Sequence, residues 1–403
     1  MIHRKIQKMS NKKITILILS LNFPLVHENI PYSWGEGAGG AENQILLLVK
    51  KLVKRETLQV HVLSKRFNLK EYSFLKIKNL NLIRIYAPNK FFLLFYLLSG
   101  FLAILKIHHR ERINLIHINE PSISLPLGYI IKKLFNIPIF QKFPSIFTKS
   151  LTSGNYYQHA QPFLLEITKR FDKIQCISAQ IFNSTLGLGF KPETLVKIPN
   201  GIDTHPYQTI TRDPNDRIRR LLFIGRLVSE KGVTMLVEVF NEVLLQFPEI
   251  SLSIFGRGPE QEKINKIIKN LNLEEKIQVS SYNRAAEKLN ILQNHDLFIL
   301  PSFFEGMSNA LLEALCSGMP VLVSNTQSNR EIIQNGDNGL LFKNRSKNSL
   351  KEKLVFCLTH NEQLWKIGTN GRNYCKKYYD IDVIEKRIYK TYIDLIRKGG
   401  KSH

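Results

Sequence analysis

Short apolar runs alternate along the chain with longer stretches in which apolar residues recur every three or four positions. Lys13–Leu21 (KITILILSL) is almost continuously apolar and β-branched, the pattern of a strand covered on both faces. Ala41–Lys54 sets Ile45, Leu48, Val49 and Leu52 on one side, which predicts an amphipathic helix. Leu58–Ser64, Leu82–Tyr86, Leu115–Ile118, Ile139–Lys142 and Lys173–Cys176 read as further strands. Strand and helix in alternation predict a parallel sheet with helices on both faces. The alternation pauses at Ile198–Tyr207 (IPNGIDTHPY), where Asn200-Gly201 signals a turn between Pro199 and Pro206 and a charged stretch, Thr211–Arg220, follows. A second series then begins. Strands are expected at Arg220–Gly225, Ile250–Phe255, Ile277–Ser280, Leu297–Leu300 and Val321–Ser324, and helices at Val233–Gln246, Glu260–Leu271, Ala285–Gln293 and Asn309–Cys316. The fold class is therefore α/β, with two Rossmann-like doubly wound domains in series, residues 1–205 and 206–380. Ligands of such a pair are expected where strand C-termini and helix N-termini face a cleft between the domains. No internal repeat and no low-complexity linker interrupts the pattern.

Two apolar runs invite a different reading. Ile14–Leu21 follows a basic N-terminus, as in a signal peptide, but it is short and runs into Asn22-Phe23-Pro24 where a cleavage site would carry small residues. It is read as the first buried strand. Phe91–Leu105 (FFLLFYLLSGFLAIL) lies between Lys90 and Lys106 and is shorter than a bilayer span. It is expected to be a helix that is buried in the protein or lies in a membrane interface.

A chain of 403 residues is long enough for two cores, and 43% hydrophobic with 22% charged residues is the make-up of a folded chain. Cys176, Cys316, Cys357 and Cys375 are scattered, with no CxxC pair and no zinc spacing, so reduced thiols in a cytoplasmic protein are expected. The net charge of +24 favours anionic partners: phosphorylated ligands or an anionic membrane surface. No zinc finger, RNP motif or basic zipper accompanies it, and nucleic acid is not expected as a partner.

Four loops carry candidate chemistry. In Phe223-Ile224-Gly225-Arg226-Leu227, followed by Lys231-Gly232, a strand ends at Gly225 and two cations precede a helix. Arg226 offers a fork of donors, Lys231 a point charge and the helix N-terminus its N–H groups, a combination suited to a diphosphate; an exposed basic loop is the plainer alternative. Gly256 and Gly258 follow another strand, as a fragment of a phosphate-binding pattern or as a tight turn. The third loop is PSFFEGMSNALLEA, from Pro301 to Ala314. Gly306 permits close backbone approach, and Ser308 or Asn309 can cap the helix that follows. The N–H groups of Gly306, Met307, Ser308 and Asn309 would then serve phosphate or sugar hydroxyls. Glu305 and Glu313, about two turns apart, can accept from two hydroxylated groups of one elongated ligand. Glu313 falls within an apolar stretch, where a carboxylate requires a partner. The fourth loop, Gly37-Ala38-Gly39-Gly40-Ala41-Glu42, opens the first helix without a Walker lysine.

The segment PSFFEGMSNALLEALCSGMPVLVS, with Glu305 and Glu313 in an E-x7-E arrangement, resembles the retaining glycosyltransferases of family 4, which have the GT-B fold. Gly225-Arg226-Leu227 with Lys231-Gly232, Gly256 to Glu260 and Asn338-Gly339-Leu340-Leu341-Phe342 extend the resemblance through the second half. Gly39-Gly40-Ala41-Glu42, Leu115–Pro121 and Asn200-Gly201-Ile202-Asp203 carry it, more loosely, through the first. The resemblance implies that Arg226 and Lys231 bind the donor diphosphate and that Gly39 and Gly40 approach it from the other domain. Glu305 and the backbone of Gly306–Asn309 would hold the transferred sugar. Glu313 would accept from the ribose, and the nucleobase would lie near Gly256, Gly258 and Tyr282. The C-terminal helix, within residues 381–403, would cross back to the first domain. No tightly held metal or cofactor is implied, and Asp380-Ile381-Asp382 is read as a helix start. Where family members often carry HxHEP, this chain has His117-Ile118-Asn119-Glu120-Pro121. Asn119 can hydrogen-bond a sugar but cannot act as acid or base; strand alternation points His117 the same way, so that both could reach the cleft, a buried strand histidine being the alternative for His117.

The activity so implied is sugar transfer, with retention, from a UDP-, GDP- or ADP-sugar to a glycan or lipid-linked acceptor, in cell-surface polysaccharide, lipopolysaccharide or glycolipid synthesis. Its place would be the cytoplasm, peripherally at the inner face of the membrane. A nucleotide-sugar epimerase of similar frame and a non-catalytic glycan- or membrane-binding relic are the competing readings.

Overall fold

A computed structural model of the chain describes residues 13–23, 40–66, 73–86, 92–146, 160–281 and 285–399. The chain divides into two compact units: Met1–Gly201 with Ile384–His403, and Ile202–Val383.

In the first unit eight strands form one sheet. They are β1 (Ile14–Leu19), β2 (Leu58–Arg66), β3 (Phe74–Ile77), β4 (Leu80–Tyr86), β5 (Leu115–Ile118), β6 (Ile139–Phe143), β7 (Lys173–Cys176) and β8 (Leu195–Lys197). Their order is β3-β4-β2-β1-β5-β6-β7-β8, and all pairs are parallel except the β3–β4 hairpin. β1, the run that superficially suggested a leader, pairs with β2 on one side and β5 on the other. A strand in that position needs apolar residues on both faces, and Ile16 to Leu19 are fully buried. The helices are α1 (Gly40–Leu52), α2 (Phe92–Glu111), α3 (Ser124–Phe135), α4 (Gln161–Thr168) and α5 (Ala179–Gly187).

The second unit is built on six parallel strands: β9 (Arg220–Ile224), β10 (Ser251–Phe255), β11 (Ile277–Ser280), β12 (Leu297–Leu300), β13 (Val321–Ser324) and β14 (Leu340–Phe342). They run in the order β11-β10-β9-β12-β13-β14. Around them lie α6 (Val233–Leu244), α7 (Gln261–Asn270), α8 (Ala285–Gln293), α9 (Asn309–Cys316), α10 (Gln327–Ile332), α11 (Lys347–Thr359) and α12 (Asn361–Tyr379). The last helix, α13 (Ile381–Gly399), starts where Asp380 Oδ1 accepts from the Asp382 N–H at 2.8 Å and Asp380 Oδ2 accepts from the Thr204 hydroxyl. The DxD sequence thus caps a helix. From Ile384 onward α13 belongs to the first unit. There Ile384, Ile388 and Tyr392 are buried, and Glu385 takes Arg55 in a two-point ion pair at 2.6 and 2.9 Å.

Helices α3, α4, α5, α10, α11 and α12 are not among those expected from the sequence; in α3 the apolar period is interrupted by Pro126 and Gly128. Pro126 lies in the first turn, where the ladder of i to i−4 bonds has not begun and a missing N–H breaks none of them. Gly128 presses on the sheet: a Cβ there would meet Ile118 Cδ1 at 2.7 Å. β3, β8 and β14 span three or four residues each, too few for a period to show. All four cysteines are free and buried.

Candidate functional site

Both sheets reverse direction of winding once, between β1 and β5 in the first unit and between β9 and β12 in the second. The connections leaving two such neighbours go to opposite faces, and the gap opened at the strand C-termini is where α/β sheets bind ligands. In the second unit the loops at this point are Gly225–Gly232 and Pro301–Ser308, the two that stand out in the sequence.

These loops are locked together. Gly232 has φ +65°, and a Cβ on it would stand 2.3 Å from the Pro301 carbonyl oxygen. The Phe303 N–H donates to the Glu230 carbonyl at 2.7 Å, and Asn344 Nδ2 donates to the Phe303 carbonyl at 3.0 Å. Lys231 Nζ meets Glu305 Oε1 at 2.5 Å, and the Ser302 hydroxyl donates to the same oxygen at 2.7 Å. Glu305 is buried, and its carbonyl accepts from the Ser328 hydroxyl at 2.5 Å. Oε1 is held by two donors while Oε2 lies outside both contacts. Arg226 extends from the same loop and is exposed. The site therefore presents a fixed carboxylate, a partly enclosed ammonium and a guanidinium at one strand edge.

Ser308 caps α9: its side chain accepts from the Leu311 N–H at 3.2 Å. Along that helix Glu313 finds the partner its apolar setting demands in Lys288 of α8, at 2.8 Å through Oε1. Its Oε2 is buried and lacks a hydrogen-bond partner among the described residues. An acceptor enclosed and unsatisfied is costly unless a ligand donates to it. Lys288 has no signature in the sequence, since it belongs to a helix 25 positions upstream.

Gly256 and Gly258 have a packing reason. A Cβ on Gly256 would lie 1.8 Å from the Gly225 carbonyl oxygen, and one on Gly258 2.3 Å from that of Leu227. The Gly225 N–H donates to the Phe255 carbonyl at 3.0 Å and the Leu227 N–H to that of Arg257 at 2.9 Å, so the β10 loop buttresses the loop bearing Arg226. Asn338 is likewise a scaffold: its Oδ1 accepts from the Gln334 N–H at 2.7 Å. Gly39 and Tyr282 lie outside the described residues, and Gly40 is the first residue of α1.

In the first unit the switch point carries a different set. Asn119 is buried, donating from Nδ2 to Glu120 Oε2 at 2.6 Å, and its Oδ1 has no partner among the described residues. Glu120 Oε1 accepts from the Leu21 N–H at 2.7 Å. Burial pushes this carboxyl up to about 7, with the Glu42 charge adding to the effect and the Leu21, Asn119 and Ser20 donors opposing it. Lys142 at the end of β6 is enclosed beside it; burial brings its ammonium down to about 8, against the pull of Glu120. Neither Glu120 nor Lys142 stands out as a site residue in the sequence.

Of the two readings of His117, the structure takes the buried one. The side chain does not lie open beside Asn119 but is fully buried, with Nδ1 hydrogen-bonded to the Tyr392 hydroxyl of α13 and its ring edge-on to Phe140 and Tyr392, centroids 5.1 and 5.8 Å away. Burial lowers its pKa to about 3, with Lys142 acting in the same direction. It is a neutral core residue. Alternation along a strand gives the face, but here that face is covered by the returning helix.

Comparison with known proteins bears on the family and the fold. The family model described as glycosyl transferases group 1 matches residues 212–374, and that described as Glycosyltransferase Family 4 matches residues 38–206. An uncharacterized glycosyltransferase of Methanocaldococcus jannaschii is 27% identical over 339 residues, 83% of this chain and 90% of its own. The UDP-Gal:α-D-GlcNAc-diphosphoundecaprenol α-1,3-galactosyltransferase of Escherichia coli is 25% identical over 324 residues, 74% of this chain and 80% of its own. Among solved structures, Anabaena HepE in complex with UDP-glucose superposes with a TM-score of 0.72 at 17% identity, covering 95% of this chain and 100% of that one.

Proposed function

The chain belongs to the group 1 glycosyl transferases, has the GT-B fold and uses a nucleotide-sugar donor; from that premise we propose that it is a retaining enzyme transferring the sugar to a glycan or lipid-linked acceptor. The competing epimerase and relic readings have no comparable support. The observation that carries the reading is the junction of Lys231, Ser302 and Glu305 at the switch point of the second sheet. Bond breaking at the donor sugar leaves charge on the diphosphate. Arg226 and Lys231 supply positive charge for it; that of Lys231 is held in place by Glu305, and pre-set charge needs no reorganisation during the reaction. Glu305 Oε2 is assigned to a hydroxyl of the transferred sugar. The orphaned Glu313 Oε2 is assigned to the ribose, with Lys288 holding the carboxylate in place. Gly225, Gly256 and Gly258 keep these loops at contact distance, and Gly306, Met307, Ser308 and Asn309 form the approach to α9. Gly39, Gly40 and Tyr282 remain assigned to the donor on the resemblance alone.

On the acceptor side the assignment moves from His117 to Glu120, with Asn119 as the residue that positions it. The relative from Escherichia coli bears a name that specifies a UDP-linked donor and a diphosphoundecaprenol-linked acceptor. By analogy a UDP-sugar and a lipid-diphosphate-linked saccharide are the first substrates to try, and polysaccharide or glycolipid synthesis at the cytoplasmic side of a membrane is the proposed setting.

The test is Glu305→Gln. Turnover should fall about a hundredfold while nucleoside diphosphate affinity changes by no more than about threefold. Equal losses in both would remove Glu305 from the sugar. Ranking UDP-, GDP- and ADP-sugars by thermal shift selects the donor, and the anomeric configuration of the product reads retention directly.

A further inference from the structure

α2 packs on the first unit with one side only. Tyr96, Gly100, Ile104 and Ile107 are buried, and the Tyr96 hydroxyl shares a 3.3 Å hydrogen bond with that of Ser124. At about 100° per residue the opposite side carries Leu94, Phe95, Leu98 and Leu102. That is the side a helix ordinarily gives to polar residues, yet Leu98 is 56% exposed and Leu102 65%. The apolar surface does not stop at α2. α3 lies alongside, with His108 stacked obliquely on Phe135 at 4.4 Å, and it exposes Ile130 and Leu134. α4, beside α3, exposes Phe163.

The edge of this surface is cationic. α2 ends in Lys106 and Arg110, Arg112 follows, and α3 ends in Lys132 and Lys133. The only acid in α2 is Glu111, held by His61 at 2.7 Å, and α3 contains none. Asp172, the acid beside α3, is paired with Lys132. The acid of α4, Glu166, is paired with Lys169 at 2.8 Å. Exposed apolar residues on three neighbouring helices, bordered by an excess of positive charge, match a bilayer whose headgroups are anionic. By length and composition Leu93–Glu111 could cross a membrane. Its buried side, however, is committed to the protein's own core, so crossing would strip Tyr96 and Ile104 from their packing.

We propose that the α2–α3–α4 face is a monotopic docking surface for an anionic lipid bilayer, with α2 lying in the plane of the interface. The leucines enter the acyl boundary and the lysine and arginine rim meets the headgroups. The proposal stands on this face alone, so its failure leaves the donor-site assignment intact.

The test is co-sedimentation of the full chain with vesicles of phosphatidylcholine and phosphatidylglycerol in equal parts. Binding is expected at low salt, falling with salt and with removal of the phosphatidylglycerol. Leu98→Glu with Leu102→Glu should weaken it at least about tenfold. Melting temperature and nucleoside diphosphate binding should stay as they were. If the glutamates disturb melting, Leu98→Ser with Leu102→Ser reads the same point. Lys106→Gln with Lys133→Gln should weaken binding at low salt only. Three results would overturn the proposal: no binding to these vesicles at low salt, binding unchanged in both leucine variants, or a protein that carbonate cannot release. A dimer dissolved by the same leucine variants, without vesicle binding, would assign the face to a second copy and equally overturn it.

Discussion

A carboxylate that shares its enclosure with a second carboxylate and an ammonium titrates on terms set by its neighbours. Glu120 faces Glu42 from α1, Lys142 from β6 and the Asn119 amide from its own strand end, and its pKa is raised to about 7. The folded state therefore holds this proton more tightly than the unfolded chain does. The penalty for ionising Glu120 is absent below the ordinary carboxylate range, grows as pH rises from there, and is complete above about 7. Glu120→Gln imitates the protonated form. Its stability should match the parent near pH 4.5 and exceed it by on the order of 1–3 kcal/mol at pH 7.5. Paired thermal melts across that window measure the difference; parallel curves would mean that Glu120 is solvated. That Glu305 and Lys231 are candidates is legible in the sequence because each lies in a short loop of unusual composition; that they meet is not. Lys288 and Lys142 are not legible there, since an ordinary lysine acquires meaning only from a carboxylate brought to it by the fold. The choice between the two readings of His117 needs the fold for the same reason, its covering partner Tyr392 being 275 positions away.

At the level of elements the site depends on backbone contacts between loops. Gly256 and Gly258 let the β10 loop lie directly against Gly225–Leu227, and Gly232 lets the β9 loop meet Pro301. In each case the obstacle to a side chain is a carbonyl oxygen, which cannot rotate aside. Gly256→Ala should then lower stability by about 2–4 kcal/mol and weaken nucleoside diphosphate binding, since the strained loop carries Arg226. Gly336 is the control: its φ is +85°, and no atom lies within 4 Å of where a methyl group would stand. Ala there strains the backbone alone and should leave nucleotide binding unchanged. Equal effects on binding at the two positions would contradict the buttress. The glycines were visible in the sequence as a fragment of a phosphate loop, but their use in packing one loop on another was not. Long periodic elements such as Val233–Leu244 were legible because the core imposes their period, whereas α3 hid behind Pro126 and Gly128.

Across the whole molecule the order of the chain and the order of the units part company. The first unit is completed by the last helix, whose Ile384, Ile388 and Tyr392 join the core of Ile16, Leu115 and Phe140. Arg55 is anchored there twice, by Glu385 and by the Tyr389 ring 4.0 Å below its guanidinium. A boundary drawn at the Asn200-Gly201 turn accounts for one crossing of the chain; the second, near Val383, has no turn signal of its own and is expected only from the family resemblance, which sends the helix within residues 381–403 back to the first unit. Nothing local in residues 384–403 identifies their partners, and the amphipathic pattern of α13 says only that one side is to be covered. Three large apolar side chains at about 2–5 kcal/mol each are comparable with the whole stability of a domain. Ending the chain at Val383 should therefore unfold the first unit while the second, whose core lies within Ile202–Val383, persists. Limited proteolysis followed by mass spectrometry distinguishes the cases. The expected product is a resistant fragment that begins near Ile202, with residues 13–201 digested. Equal resistance of both halves would show that α13 merely decorates the first unit, and Glu120 would then owe nothing to the helix that buries its neighbour His117.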